Sequence, residues 1–263
     1  MNTVSSTDGT TIAFERSGAG PPLLLVGGAL NDRHAAATKA ALLAPSFTVY
    51  SYDRRGRGDS GDTPPYEVER EVEDIQALVQ EAGGSAFAFG HSSGGVLALE
   101  TAAHTLGITK LALYEPPFIV DDSRPPVPDD YVEHLAELAS TDRRSDAVEY
   151  FMLAGIGVPR EAVAPMKELP FWPALEGVAH TLSYDGQIMG DNLSGKRLQV
   201  DRWASVTIPT LVIDGGASPP WLGNAARRLV HVLPDARRRT IEGQTHDVDP
   251  VLLAPVLEEF FAG

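Results

Sequence analysis

Two residues in this chain have the type and setting for nucleophilic acyl chemistry, Ser92 and His246. Ser92 lies in Gly90-His91-Ser92-Ser93-Gly94, between the apolar run Ser85–Phe89 and the helix-forming stretch Ser93–Glu100. A G-x-S-x-G sequence between a strand and a helix predicts a sharp bend with the serine at its tip. The flanking glycines let neighbouring backbone pass where a Cβ would clash. The following helix turns its free N–H groups and positive dipole end toward the serine. A serine hydroxyl attacks well only when a base takes its proton. His246, in Gly243-Gln244-Thr245-His246-Asp247, is the candidate base toward Ser92 and then acid toward the leaving group.

The elements that must carry these residues are legible in order. Thr10–Glu15 alternates like an edge strand, and Leu23–Val26 is a continuous apolar run suited to a strand buried on both faces. A helix is predicted over Asn31–Leu43 and a strand over Phe47–Tyr52. The pattern over Glu67–Ala82 has one apolar face at Val68, Val72, Ile75, Leu78 and Val79, and Gly83-Gly84 stops it. After the serine helix comes a strand over Lys110–Glu115, then Ile208–Asp214, a helix over Trp221–Leu233, a strand over Arg238–Glu242 and a last helix over Pro250–Phe261. Strands alternating with helices predict an α/β fold whose sheet is mostly parallel.

The rhythm breaks between Phe118 and Asp201. Short helices are predicted near Asp130–Ala139, Ser145–Ala154, Arg160–Leu169 and Trp172–Leu182. Such an insertion lies over the carboxyl edge of an open sheet, where ligands bind. Phe151, Met152, Met166, Phe171, Trp172 and Met189 either line an apolar pocket or pack the insertion onto the core. Leu30, His91, Phe118 and Trp221, on the loops bordering the same edge, are further pocket candidates.

Composition narrows the function classes. A formal net charge of −15 argues against a nucleic-acid footprint and against anionic membrane surfaces. The clusters Arg54-Arg55-Gly56-Arg57 and Arg237-Arg238-Arg239 read as solvated or salt-bridged surface, and the Arg57-Gly58-Asp59 tripeptide as an accident. With no cysteine there is no disulfide, thiolate metal site or cysteine nucleophile. His34, His104, His134, His180 and His231 lack ligand spacing, so no metal site is expected. No apolar run approaches the roughly 20 residues of a membrane span, and the N-terminal residues lack the pattern of a signal peptide; a cytoplasmic location is expected.

The Gly27-Gly28 loop, the run Asp53-Arg54-Arg55-Gly56-Arg57-Gly58-Asp59-Ser60, the bend at Ser92 and the His246 loop, in this order, resemble the α/β-hydrolase superfamily. The resemblance covers essentially the whole chain and is nearest to capped small-molecule hydrolases. It implies a mostly parallel central sheet flanked by helices, with a core of residues 1–117 and 202–263 and a helical cap of residues 118–201 inserted after the sixth strand. It also implies an oxyanion hole made by the backbone N–H groups of Ala29 and Ser93.

Two motifs depart from the family pattern. Many relatives carry His-Gly where this chain has Gly27-Gly28, a mild change because the donor is backbone. The triad acid usually follows the seventh strand as Gly-x-x-Asp, but here Gly215-Gly216-Ala217-Ser218 puts Ser218 at that position. Asp214 lies at the strand end, a few residues early. Glu115, in Leu113-Tyr114-Glu115-Pro116-Pro117, stands where one branch of haloalkane dehalogenases and the zearalenone-type lactone hydrolases carry their triad glutamate. Glu115 is the favoured acid, Asp214 the alternative, and a missing acid the third possibility.

The nucleophile type sets the expected chemistry. Haloalkane dehalogenases and epoxide hydrolases of this fold attack with an aspartate, whereas Ser92 implies an acyl-enzyme route on a carboxylic ester or lactone of a small, largely apolar molecule, with no cofactor. The same residues also suit C–C bond hydrolysis, perhydrolysis, or a cyclisation or lactonisation step. A non-catalytic small-molecule binder is supported only by the substituted acid position. The expected partner is the substrate alone, in a monomer or homodimer.

Overall fold

Among the described residues one sheet of eight strands organises the protein, and from the third strand onward helices alternate with strands. The computed structural model describes residues 1–104, 107–199 and 201–263. The strands are β1 (Asn2–Ser5), β2 (Thr11–Ser17), β3 (Pro22–Val26), β4 (Thr48–Tyr52), β5 (Ala86–His91), β6 (Ile108–Tyr114), β7 (Thr210–Gly215) and β8 (Ala236–Ile241). They lie in the order β1-β2-β4-β3-β5-β6-β7-β8. β1 pairs antiparallel with β2 and β2 antiparallel with β4, while every other neighbour is parallel. The segment expected to be the edge strand is therefore β2, one strand in. The true edge is the short β1, which is exposed along most of its length and carries little apolar patterning.

The period-two geometry of β3 sorts its side chains onto two faces. Leu24 and Val26 join one buried cluster, and Leu23 and Leu25 join the other. Each fully buried aliphatic side chain of this kind contributes about 1.5–3 kcal/mol. α1 (Ala37–Leu43) and α10 (Pro250–Ala262) cover the second face; α2 (Val68–Glu81), α3 (Ser93–His104) and α9 (Pro220–Val232) cover the first. The helix expected from Asn31 begins later. A 3₁₀ turn at Arg33–Ala36 comes first, and the Asp32 carboxylate caps it by accepting from the N–H groups of His34 and Ala35.

Between β6 and β7 the chain forms α4 (Tyr131–Ser140), α5 (Arg144–Tyr150), a π-helical stretch at Phe151–Ile156, α6 (Arg160–Met166), α7 (Trp172–Val178) and α8 (Leu182–Met189). The helix predicted over Ser145–Ala154 thus changes pitch at Phe151, and α8 was not foreseen. The insertion docks on the segment after β4. Tyr184 of α8 stacks on Tyr66 with ring centroids 3.8 Å apart, and Thr181 accepts from Nε of Arg57 at 3.0 Å.

That segment corrects one expectation from sequence. Arg54, Arg55 and Arg57 are not surface residues; all three are buried, at 2 % exposure or less. Each is charge-balanced. Arg54 makes a bidentate pair with Glu71 of α2 (2.7 and 2.6 Å), Arg55 one with Asp74 (2.8 and 2.7 Å), and Arg57 bonds Asp185 of α8 at 2.6 Å. An arginine triplet in an acidic chain reads as solvated only while its partners, 17 or more residues away, are unknown. Arg237–Arg239 do lie exposed on β8. Among the described residues no helix is long and apolar enough to cross a membrane.

Candidate active site

The carboxyl ends of β3, β5, β6 and β7 and the loop after β8 converge on one place. Ser92 sits between β5 and α3 with φ = 57°, its N–H donating to the Tyr114 carbonyl at 2.9 Å. Glu115 follows β6 with φ = 45°, its N–H donating to the Ile213 carbonyl at 2.9 Å. Among the described residues four that are not glycine have positive φ, namely Leu30, Ser92, Glu115 and Asp142. The first three are at this site. Each such residue costs on the order of 1–3 kcal/mol and persists where the surrounding structure enforces it.

The glycines around Ser92 are required by close packing. A Cβ on Gly94 would stand 2.4 Å from the carbonyl oxygens of Val26 and Gly27, and one on Gly90 would stand 2.5 Å from the Gly94 carbonyl. Only bare backbone allows β3, the bend and α3 to approach this closely.

Glu115 is fully buried and both its oxygens are engaged. Oε2 accepts from Nδ1 of His246 at 2.8 Å, and Oε1 accepts from the Gly215 N–H at 2.8 Å. An ionised carboxylate only accepts, so the His246 proton is assigned to Nδ1 and Nε2 is left as the basic nitrogen. Asp214 is not in this arrangement. Its carboxylate takes two bonds from Arg238, both 2.7 Å, and one from Thr240. The Ser218 hydroxyl is buried and has no hydrogen-bond partner among the described residues, while its N–H donates to the Gly215 carbonyl at 3.1 Å.

The loop carrying His246 is fixed from two sides. Tyr114 donates its hydroxyl to the Thr245 carbonyl at 2.5 Å, and Nε2 of His91 donates to the His246 carbonyl at 2.9 Å. His91 is partly buried beside the cavity, and that burial, with His246 and Lys39 nearby, pushes its imidazole down to about 3. It stays neutral, as a donor to a carbonyl should.

Ser92 and His246 both line a cavity of about 280 Å³ whose walls are mostly apolar. Gly28, Ala29, Leu30, His91, Ser93, Phe151, Met189 and Trp221 line it as well. Gly28 is pressed against Ser92, since a Cβ there would lie 3.0 Å from Ser92 Cβ and 3.6 Å from its Oγ. Neither Ala29 nor Ser93 gives its N–H to a described backbone carbonyl.

Five pocket candidates stand elsewhere, among them Met166, which is partly buried against the core. Phe118 is buried in the core, stacked on Trp203 at 5.4 Å; Met152 is buried in the same cluster. Trp172 is buried with its indole N–H shared between Ser145 and Glu176, both at 2.9 Å, and Phe171 is 43 % exposed to solvent. Apolar character alone does not distinguish packing from lining. On the π-helical stretch Phe151, Gly155 and Ile156 line the cavity while Met152 is buried in the core. Sequence reading missed Asn31, Tyr131 and Asp185, which also border the cavity. Asp185 carried a signal: a lone acid in an otherwise uncharged stretch, in a chain with a cluster of three arginines.

A family model described as the alpha/beta hydrolase family matches residues 21–258. The chain belongs to that family. The crystal structure of an α/β hydrolase from Sphaerobacter thermophilus is 58 % identical, covers 99 % of this chain and 100 % of its own, and superposes with a TM-score of 0.92. An enol-lactonase from Burkholderia xenovorans is 21 % identical, with full coverage of both chains and a TM-score of 0.69, a likeness of fold. A hydrolase of Bacillus subtilis, YraK, is 35 % identical over 96 residues; the match spans about a third (35 %) of that protein's length. The α/β-hydrolase fold expected from the motifs is the fold observed, with its eight-stranded, mostly parallel sheet.

Proposed function

We propose that this α/β hydrolase is a serine enzyme that cleaves a carboxylic ester or lactone of a small, largely apolar molecule. The observation that carries the reading is the 2.8 Å bond from His246 to the buried Glu115, beside a cavity that Ser92 also lines. Serine, histidine and a buried acid in that order form a nucleophile, a base and a group that orients the base.

On this reading the reaction runs in two halves. Ser92 Oγ attacks the acyl carbon while its proton passes to Nε2 of His246. Glu115 keeps the Nδ1 proton directed at itself and stabilises the imidazolium without accepting that proton. The carbonyl oxygen becomes an oxyanion held by the N–H groups of Ala29 and Ser93, Gly28 leaving the space beside Ser92 that the tetrahedral centre needs. Collapse breaks the acyl–oxygen bond, and His246 returns its proton to the leaving alkoxide. A water then attacks the acyl-enzyme by the same route, releasing the acid and restoring Ser92. With a lactone, alcohol and acid leave as one hydroxy acid.

The apolar walls formed by Leu30, Phe151, Met189 and Trp221 favour an uncharged acyl group, and the fold shared with the Burkholderia enol-lactonase is compatible with a cyclic ester. Hydrolysis of p-nitrophenyl esters of rising acyl length and of a panel of lactones, with products identified by mass, tests this reading. Turnover by the wild type and none by Ser92→Ala is expected. Turnover retained by Ser92→Ala would remove the nucleophile, and release of products lacking a free carboxylic acid would remove the hydrolytic route.

A further inference from the structure

One buried carboxylate borders the cavity without belonging to the triad. Asp185, on α8 of the helical insertion, is 4 % exposed. Its Oδ1 accepts from Arg54 Nη1 and from Ser93 Oγ, both at 2.7 Å, and its Oδ2 accepts from Arg57 Nη2 at 2.6 Å. Burial disfavours the charged carboxyl, but Arg54 and Arg57 outweigh it and hold Asp185 below the ordinary carboxylate range.

Those partners lead directly to the two proposed oxyanion donors. Arg57 Nη1 donates to the Gly28 carbonyl at 2.7 Å and to the Asn31 carbonyl at 3.2 Å; Arg54 Nη1 also reaches the Gly27 carbonyl at 3.3 Å. The Gly28–Ala29 peptide is trans, so its C=O and N–H point in opposite directions. Fixing the Gly28 carbonyl on Arg57 therefore aims the Ala29 N–H away from the arginine. The other donor, the Ser93 N–H, belongs to the residue whose hydroxyl Asp185 holds. The guanidinium charges are balanced by Asp185 and by Glu71, so removing Asp185 leaves one of them uncompensated inside the protein.

We propose that Asp185 is a positioning residue for catalysis: a carboxylate supplied by the helical insertion that sets the oxyanion hole of the core, through Arg57 on one side and Ser93 on the other. This rests on the serine-hydrolase reading above. It makes transition-state stabilisation conditional on α8 being docked, and it gives the insertion a role in the chemical step besides shaping the pocket. A mere counter-ion would support folding and leave the chemistry of the folded enzyme unchanged.

The test measures p-nitrophenyl acetate hydrolysis by the wild type, Asp185→Asn and Ser93→Ala, with circular dichroism to fix the folded fraction. Asp185→Asn is expected to lower kcat per folded enzyme on the order of 10²-fold, the scale of a lost oxyanion donor, with KM nearly unchanged. Inhibition by phenylboronic acid, whose tetrahedral serine adduct uses the same donors, should weaken in parallel. Ser93→Ala leaves every charge in place and should lower kcat on the order of tenfold, the weight of one hydrogen bond to a charged group. It carries the test alone if Asp185→Asn does not fold. Wild-type kcat in folded Asp185→Asn or in Ser93→Ala, or an effect confined to KM, would overturn the inference. A wild type that hydrolyses no ester would overturn the serine-hydrolase reading, and this inference with it.

Discussion

Glu115 and His246, 131 residues apart in sequence, meet at 2.8 Å between Oε2 and Nδ1, and the second oxygen of Glu115 is held by the Gly215 N–H at 2.8 Å. The carboxylate thus has one oxygen anchored to β7 and one directed at the histidine. Asp214, the rival from sequence, faces Arg238 and Thr240 instead. Glu115→Gln should lower kcat on the scale of the roughly 10⁴-fold loss seen when a triad acid becomes an amide. Asp214→Asn should leave kcat within a few-fold and cost at most about 1 kcal/mol of stability, because Arg238 is partly solvated. The reverse ranking in steady-state kinetics would move the acid to Asp214.

Gly28 is where the loop after β3 touches Ser92. Gly28→Ala places a methyl 3.0 Å from Ser92 Cβ and forces the loop or the serine to shift by a few tenths of an ångström. Since a misplacement of about 1 Å costs on the order of 10²-fold in rate, a drop of about tenfold in kcat with a preserved circular dichroism spectrum is expected. Gly177→Ala, whose Cβ meets nothing within 4 Å, serves as the control. Equal activity in both variants would mean the loop does not approach the reacting atoms.

His91 gives the protein an acid-sensitive contact. The folded state keeps it neutral down to about 3, whereas its unperturbed value is 6.5. Below about pH 6.5 the unfolded chain binds a proton that the folded chain refuses, so this residue costs stability as pH falls from 6.5 toward 3. His91→Gln removes that titration and should flatten the fall in urea midpoint across the same range, relative to each protein's own value near neutrality. Parallel curves for the two proteins would show that His91 is not the group involved.

The two phenylalanines near α5 and α7 separate lining from surface. Phe151→Ala should raise KM for apolar acyl esters several-fold, because Phe151 lines the cavity. Phe171→Ala should leave KM unchanged, because that ring faces solvent. Equal KM values for both variants would take Phe151 out of the substrate's path.

The residues that sequence reading picked out best were those with a local reason. Ser92 and its glycines are dictated by a bend that only small residues permit, and β3 by a run too apolar to face water on either side. The loop of His246 followed from its place after the last strand. What was illegible depended on distant partners. Arg54 and Arg57 read as surface because Asp185 and Glu71 are 131 and 17 residues from Arg54, and nothing local marks a buried ion pair. The pocket walls were half legible because Phe151 and Met152 are both large and apolar, and which of them meets the cavity is decided by how the insertion docks. The short β1 escaped because only its pairing with β2, Asn2 opposite Phe14, makes it a strand.

The central claim is that Ser92 is an activated nucleophile driven by His246. Intact mass after brief exposure to a fluorophosphonate, followed by peptide mapping, tests it without knowledge of the substrate. One adduct per chain on Ser92, absent from Ser92→Ala and strongly slowed in His246→Ala, is the predicted result. No adduct in the wild type, or an adduct on another residue, would contradict the account.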